Sequence, residues 1–592
     1  MDQIPALLIL LLVRTSSQYN EGQVNQLIIY DVGETVNDEC HSEIYCEGEL
    51  LKTVQLLEVF KDCKDFVDMP MKHSSKDIIK RFEELMKAAQ VDSSALHLLD
   101  QSERDPLRNK IINFVSENFK DGKGLLEPVD LIDWKKYPKF IPRIRDRKYQ
   151  EWASDLNKIW NDLARKMIDD VRDHPERHSL IYVDNPFVIP GGRFREFYYW
   201  DTYWVIEGLL LCDMHDTVRG MIENLLSMVK AYGFIPNGGR IYYLSRSQPP
   251  LLIPMVSKYF DFTQDESFVF QNLDTLEMEL DYWMRHKSVK IGKNGRNYTL
   301  SRYVTNSTGP RPESYREDHK LASELTDPGR KFKFYNDIKA GAESGWDFSS
   351  RWFTDKNNAR SLQLDDIIAT KILPVDLNSF IQWNAKILSK FFARKKNFEK
   401  ARFYKKIADD YQNAIEALLW NEKDGTWYDL DMEHGTQRNR FYLSNLTPLY
   451  TKSFDERQSE YYGNRSVEYL ESNGIQKYKS GIPTSLTSSG QQWDFPNIWA
   501  PLQSILVEGL KETHSARAKK FAAEIAHQFL KATYLGYSRH QKMYEKYNAT
   551  NPGETGQGGE YEPQSGFGWT NGVVLKFIDL YFTGRNKKTK SQ

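Results

Sequence analysis

Apolar positions along this chain recur at helical spacing far more often than at strand spacing. Between 152 and 171, Leu156, Trp160, Leu163, Met167 and Val171 fall on one face of a helix. The stretches 205–211 (running on through 218–229), 273–283, 377–392, 499–510, 521–530 and 573–582 carry the same signature, and Ile407, Tyr411, Ile415 and Leu418 mark one more. Nearer the N-terminus 51–90 reads as helical, most clearly over 74–86. Residues 18–50 are polar and irregular and are assigned no element. Strand-like alternation is sparse, and neither an internal repeat nor a linker interrupts the pattern. The pattern predicts an all-α protein with one large domain over 51–583, although 592 residues would allow several domains.

The ends of the chain differ from its body. An apolar run over 6–13 follows Met1-Asp2-Gln3-Ile4-Pro5; it is too short to cross a bilayer and reads as the core of a signal peptide over 1–17. The last residues, 584–592, are basic and polar, so no second apolar run or lipid-anchor tail is predicted. A secreted, extracellular, soluble protein without stable membrane association is the expectation. In that setting four cysteines are few. Cys40–Cys46 is the expected bridge, with Cys63 and Cys212 left over. Asn297, Asn306, Asn445, Asn464 and Asn548 head glycosylation sequons.

Lysine plus arginine (80) nearly balances aspartate plus glutamate (82), which gives no reason to expect a nucleic-acid partner. The chemistry concentrates between the helices. Residues 190–204 read Pro-Gly-Gly-Arg-Phe-Arg-Glu-Phe-Tyr-Tyr-Trp-Asp-Thr-Tyr-Trp, a tight corner followed by rings beside guanidinium and carboxylate groups. Such a mixture suits a sugar, with its apolar C–H face and rim of hydroxyls; Arg193 can fork two hydrogen bonds onto a hydroxyl or carboxylate. Polar loops also lie at 235–240, 242–250, 311–317, 343–352 and 543–572. Taken together they favour one shared pocket. Asp347, between Trp346 and Phe348, has the apolar flanks that keep a carboxylic acid protonated. Glu545 and Glu560 both qualify as its partner. The glycine-rich 553–559 run lacks Gly-Lys-Ser/Thr, is no phosphate loop, and suits a mobile lid.

Pro-Gly-Gly-Arg-Phe-x-Glu-x-Tyr-x-Trp-Asp-x-Tyr at 190–203 resembles the first signature of the trehalases, glycoside hydrolase family 37. Gln-Trp-Asp-Phe-Pro-Asn-Ile-Trp-Ala-Pro at 492–501 resembles the second. The likeness runs from about 54 to 582. It implies an (α/α)6 toroid, α,α-trehalose as the small-molecule substrate, and inverting hydrolysis to two glucoses by an acid and a base. The family's general acid is the aspartate of Ser-Gly-Trp-Asp, here Asp347. Its base is the glutamate of Glu-Lys-Tyr, here Glu545, which makes Glu560 a sugar-binding carboxylate. Arg193, Phe194, Trp200, Asp201, Asn237, Arg246, Gln248, Arg311, Glu313, Gly345 and Trp493 match further binding positions, and Asp494 is either binding or structural. No metal or cofactor is expected. Two other readings compete: a toroid glycosidase acting on a different α-glucoside, and a secreted sugar-binding protein without catalysis, which predicts a missing acid or base.

Overall fold

The computed structural model describes residues 27–31, 40–354 and 363–584. The expected signal peptide and all of the basic tail but Gly584 lie outside the described residues.

The chain first builds a small helical lobe. It contains α1 (Glu49–Leu56), α2 (Cys63–Val67), α3 (Ser75–Ala89) and α4 (Gln101–Asn118). A capping box at Asp100 and Glu103 starts α4, and Ser74 caps α3. Ile44, Leu51, Phe66, Ile78, Ile111 and Phe114 form the lobe's own core. That core also takes in Tyr198, Tyr242, Tyr243 and Tyr315, which come from segments much later in the chain. Cys40 and Cys46 are joined, with Cα atoms 5.8 Å apart, while Cys63 and Cys212 are buried thiols.

Paired helices follow. α5 (Arg147–Leu163) turns Trp152, Leu156 and Trp160 inward. After the single turn α6 (Asp169–Asp173) come α7 (Asp201–Leu211), α8 (His215–Tyr232), α9 (Leu252–Thr263) and α10 (Glu266–His286). An insertion holds the antiparallel hairpin Ser288–Lys293 and Arg296–Ser301, then α11 (Tyr315–Ser323) and α12 (Pro328–Glu343). The pairing resumes with α13 (Val375–Arg394), α14 (Phe398–Ala414), α15 (Thr447–Thr451), α16 (Ser459–Ser472), α17 (Ala500–Glu512), α18 (Ala516–His540) and α19 (Gly568–Phe582).

The contacts close a ring. α7 packs on α9, α9 on α13, α13 on α15, α15 on α17, α17 on α19, and α19 back on α7. These six helices are apolar on most sides because neighbours surround them; every residue of α7 is buried. α5, α8, α10, α14, α16 and α18 stand outside them, each with one buried face and one wet face. This is the (α/α)6 toroid.

Three local expectations need correction. The face read over 152–171 is not one helix: α5 stops at Leu163, and Ala164–Met167 is a strand between Leu126–Pro128 and Phe187–Val188. Met167 and Val171 are still buried, so helical spacing there is met by two different elements. The 205–229 stretch breaks at Asp213, whose φ of +61° turns the chain from α7 into α8. Finally, 18–50 is not wholly irregular: Ile28–Asp31 pairs antiparallel with the edge of the hairpin, Ile29 opposite Ile291, and α1 already begins at Glu49.

Among the sequons, Asn297 and Asn306 are exposed. Asn445 is buried, and its side-chain amide donates to the Arg440 carbonyl at 2.9 Å and to the Tyr469 hydroxyl at 3.1 Å. Among the described residues, no helix is long and apolar enough to cross a membrane.

Candidate active site

One mouth of the ring carries a cavity, at the end where the inner helices start. Trp200 precedes α7, Gln248 lies just before α9, Trp499 precedes α17, and Phe567 precedes α19; all four line it.

Each wall has a local cause. The 190–200 segment leaves its Pro-Gly-Gly corner with Arg193 N donating to Gln564 Oε1 at 2.9 Å. It then runs against the 237–239 turn, where Tyr199 N donates to the Asn237 carbonyl at 3.1 Å and Gly239 N to the Phe197 carbonyl at 3.0 Å. That pairing puts Arg193, Phe194, Trp200 and Asp201 beside Asn237. Gln248 Oε1 then accepts from Trp200 N at 3.1 Å. Gly345 ends α12 with φ +76°, and a Cβ there would stand 2.7 Å from the Trp200 ring, so the turn that presents Asp347 requires glycine. Asp494 does not line the cavity. It accepts from Ser349 Oγ (2.9 Å), Ser350 N (2.6 Å), Ser485 Oγ (2.7 Å) and also Ser489 Oγ, clamping the chain after Asp347 to the second motif. Its role is structural. Behind it, buried Arg351 forks onto both Asp376 and Asp429.

Apart from Asp494, the residues singled out from the sequence all line this one cavity: Asp347, Glu545, Arg193, Phe194, Trp200, Asp201, Asn237, Arg246, Gln248, Arg311, Glu313, Gly345, Trp493 and Glu560. The wall also includes Tyr198, Tyr243, Ser314, Trp499, Tyr561, Phe567 and Trp569. Most of these stand inside the same motifs, where their aromatic character was the available signal. The rings form a continuous box: Trp493 stacks on Trp499 at 4.0 Å between centroids and on Trp346 at 5.4 Å, and Trp569 meets Trp200 and Trp499 edge-on.

Three arginines are fixed by carboxylates. Arg246 donates to Asn237 Oδ1 at 3.0 Å and to Glu313 Oε1 at 2.5 Å. Arg311 forks onto Asp318 and donates to Glu560 Oε1 at 2.7 Å, while Ser314 Oγ donates to Glu560 Oε2 at 2.9 Å. Arg193 is held by Asp62 of the N-terminal lobe, at 2.8 and 2.7 Å. No sequence signal pointed to Asp62, because the contact spans 131 residues. Lys64 and Asp68 strengthen the same seam: Lys64 pairs with buried Glu196, and Asp68 pairs with Arg240. Within the cavity wall, Arg246 Nη1, Glu313 Oε2 and Trp493 Nε1 are buried without a hydrogen-bond partner.

The carboxyl groups divide electrostatically. Burial pushes Asp347 up to about 7; Glu560 adds to the rise, and Arg311 and Arg246 oppose it. Burial also raises Glu545, against hydrogen bonds from Tyr561 OH (2.9 Å) and Gln564 N (3.2 Å) to its two oxygens. Asp201 is raised well above the carboxylate range by burial and by the nearby Glu545 and Asp347 charges. Arg246 and Arg311 outweigh the burial of Glu313 and hold it below its ordinary value. The cavity thus holds one carboxyl ready to give a proton near neutrality and a second, with no salt bridge among the described residues, able to accept one through water.

A sequence model of the family described as Trehalase matches residues 58–582. The trehalase of Pimpla hypochondriaca is 48% identical over 545 residues, covering 92% of this chain and 91% of that one. The human trehalase is 44% identical over 93% of this chain and 91% of its own, and that of Tenebrio molitor 44% over 92% and 96%. Among solved structures, the neutral trehalase of Saccharomyces cerevisiae superposes with a TM-score of 0.53 at 22% identity, over 68% of this chain and 74% of that one. That likeness carries the fold.

Proposed function

The chain belongs to the trehalase family, and on that premise we propose that it hydrolyses α,α-trehalose to two glucoses with inversion at one anomeric carbon. Asp347 is the general acid and protonates the glycosidic oxygen. Glu545 is the general base and draws a proton from the water that attacks the opposite face of the sugar. The observation that carries this reading is the pair itself: a carboxyl raised to about 7 and a second carboxyl with no salt bridge among the described residues, on the wall of one tryptophan- and arginine-lined cavity. Glu560 is a poorer base, because both its oxygens are already engaged, one by Arg311 and the other by Ser314. Its role is to bind sugar hydroxyls, together with Arg193, Arg246, Arg311, Asn237, Gln248 and Glu313, while Phe194, Trp200 and Trp493 supply the apolar faces.

Glucose release tests the reading. Trehalose should be cleaved, and maltose and sucrose offered alongside should be left essentially untouched; preference for either of those would transfer the protein to a different α-glucoside.

The protein is further proposed to be secreted, a reading supported by the short apolar run at 6–13. Expressed in a secretory cell it should reach the medium with its N-terminus near residue 17. Its glycans should sit on Asn297 and Asn306 and not on buried Asn445. Recovery in an alkali-washed membrane fraction, or a glycopeptide containing Asn445, would contradict this.

A further inference from the structure

Lys546 follows Glu545 directly and is fully buried. A buried ammonium normally requires a carboxylate at hydrogen-bond distance. Here Nζ donates instead to Gln492 Oε1 at 2.8 Å and to the Gly558 carbonyl at 2.9 Å, and it lies 5.3 Å from the centroid of the Trp499 ring. Gln492 in turn donates from Nε2 to the backbone carbonyl of Asp347. One polar chain therefore runs from the segment bearing the acid, through Gln492 and Lys546, to the glycine-rich loop. The backbone of Lys546 pairs with Trp499 in the strands Lys546–Asn548 and Asn497–Trp499.

The glycines of that loop fit the same arrangement. A Cβ on Gly556 would come within 2.8 Å of Lys546 Cγ, and one on Gly559 within 2.8 Å of Gln492 Oε1. Glycine lets the loop lie directly on the Lys546–Gln492 pair. These contacts give a reason for the glycines that the lid expectation did not contain.

We propose that Lys546 is a positioning residue for the acid–base pair: its ammonium fixes the acid segment, the base strand and the glycine-rich loop in one register and presents its charge to both carboxyls. The inference rests on the assignment of Asp347 and Glu545 proposed above. The charged surroundings define what Lys546 can do. Glu545 faces Lys546, Arg193, Tyr561 and Asp201. Asp347 faces Arg311, Arg246 and Glu560, and the field at Lys546 comes from Glu545, Asp347 and Glu562. Burial raises Glu545, and Lys546 is the foremost group opposing that rise. The same burial lowers Lys546, against the pull of the carboxylates.

Removing the cation should raise both carboxyl pKa values. The base must be ionised, so the acidic limb of kcat/KM moves to higher pH. The acid must be protonated, so the alkaline limb moves the same way. The test compares pH profiles on trehalose for Lys546→Met and Lys546→Gln, which remove the charge, with Lys546→Arg, which keeps it. Both neutral variants should shift the limbs upward by about one pH unit, a loss of about tenfold on the acidic side, and Lys546→Arg should retain the native limbs. If Lys546→Met does not fold, Lys546→Gln, which still offers a donor to the Gly558 carbonyl, gives the same reading. A folded neutral variant with native limbs would overturn the proposal, since loss of packing alone lowers the rate without moving them. Glu545→Gln runs in parallel: its retained turnover would remove the acid–base assignment, whereas an inactive Glu545→Gln beside unmoved limbs would overturn the role of Lys546 alone.

Discussion

Asp347→Asn should lose hydrolysis of trehalose by about 10²–10⁴-fold while melting like the parent protein. A positioned general acid is worth that much, and the amide cannot donate the proton. The fold should survive because the Asp347 carboxyl forms no salt bridge among the described residues, and asparagine fills the same volume. The carboxyl is held near neutrality by burial and not by a tight partner. The loss should shrink on an α-glucosyl fluoride, whose leaving group needs little protonation. A folded Asp347→Asn protein with near-native turnover of trehalose would remove Asp347 from the mechanism.

The second large effect separates the two glutamates. Glu545→Ala should abolish turnover with little loss of ground-state binding, since an inverting base reaches the sugar only through water. Glu560→Ala should weaken binding as well, because it removes an acceptor fixed by Arg311 and Ser314. Azide should then rescue Glu545→Ala acting on α-glucosyl fluoride, entering the space left by the carboxylate and forming a β-glucosyl azide. It should not rescue Glu560→Ala. Rescue at Glu560 alone, or an azide of α configuration, would overturn both the choice of base and the inverting geometry.

The sequence carried some of this site much better than the rest. Asp347 was legible because its apolar flanks and its motif sit in adjacent positions, and the structure places it in the cavity. The helices were legible from spacing, but spacing counts burial and not hydrogen bonding. That is why Met167 and Val171 extended α5 on paper while the backbone had already become a strand. Asp62 was illegible for a different reason. It caps α2 locally, accepting from Lys64 N, and nothing in that capping pattern reveals that the same carboxylate also grips Arg193. The glycine-rich run was legible as glycine and not as contact: Gly556 and Gly559 are explained by side chains at 546 and 492 that only the fold brings near. Asp494 shows the converse, a motif residue whose hydrogen bonds are all spent on holding loops together.

Proton NMR of the first products from trehalose tests the central claim most directly, before mutarotation blurs the anomers. Inversion at one carbon by the Asp347–Glu545 pair predicts one β-glucose from the attacked ring and one α-glucose from the leaving ring, in equal amounts. Two equivalents of α-glucose would mean retention and a covalent intermediate, and would contradict the account.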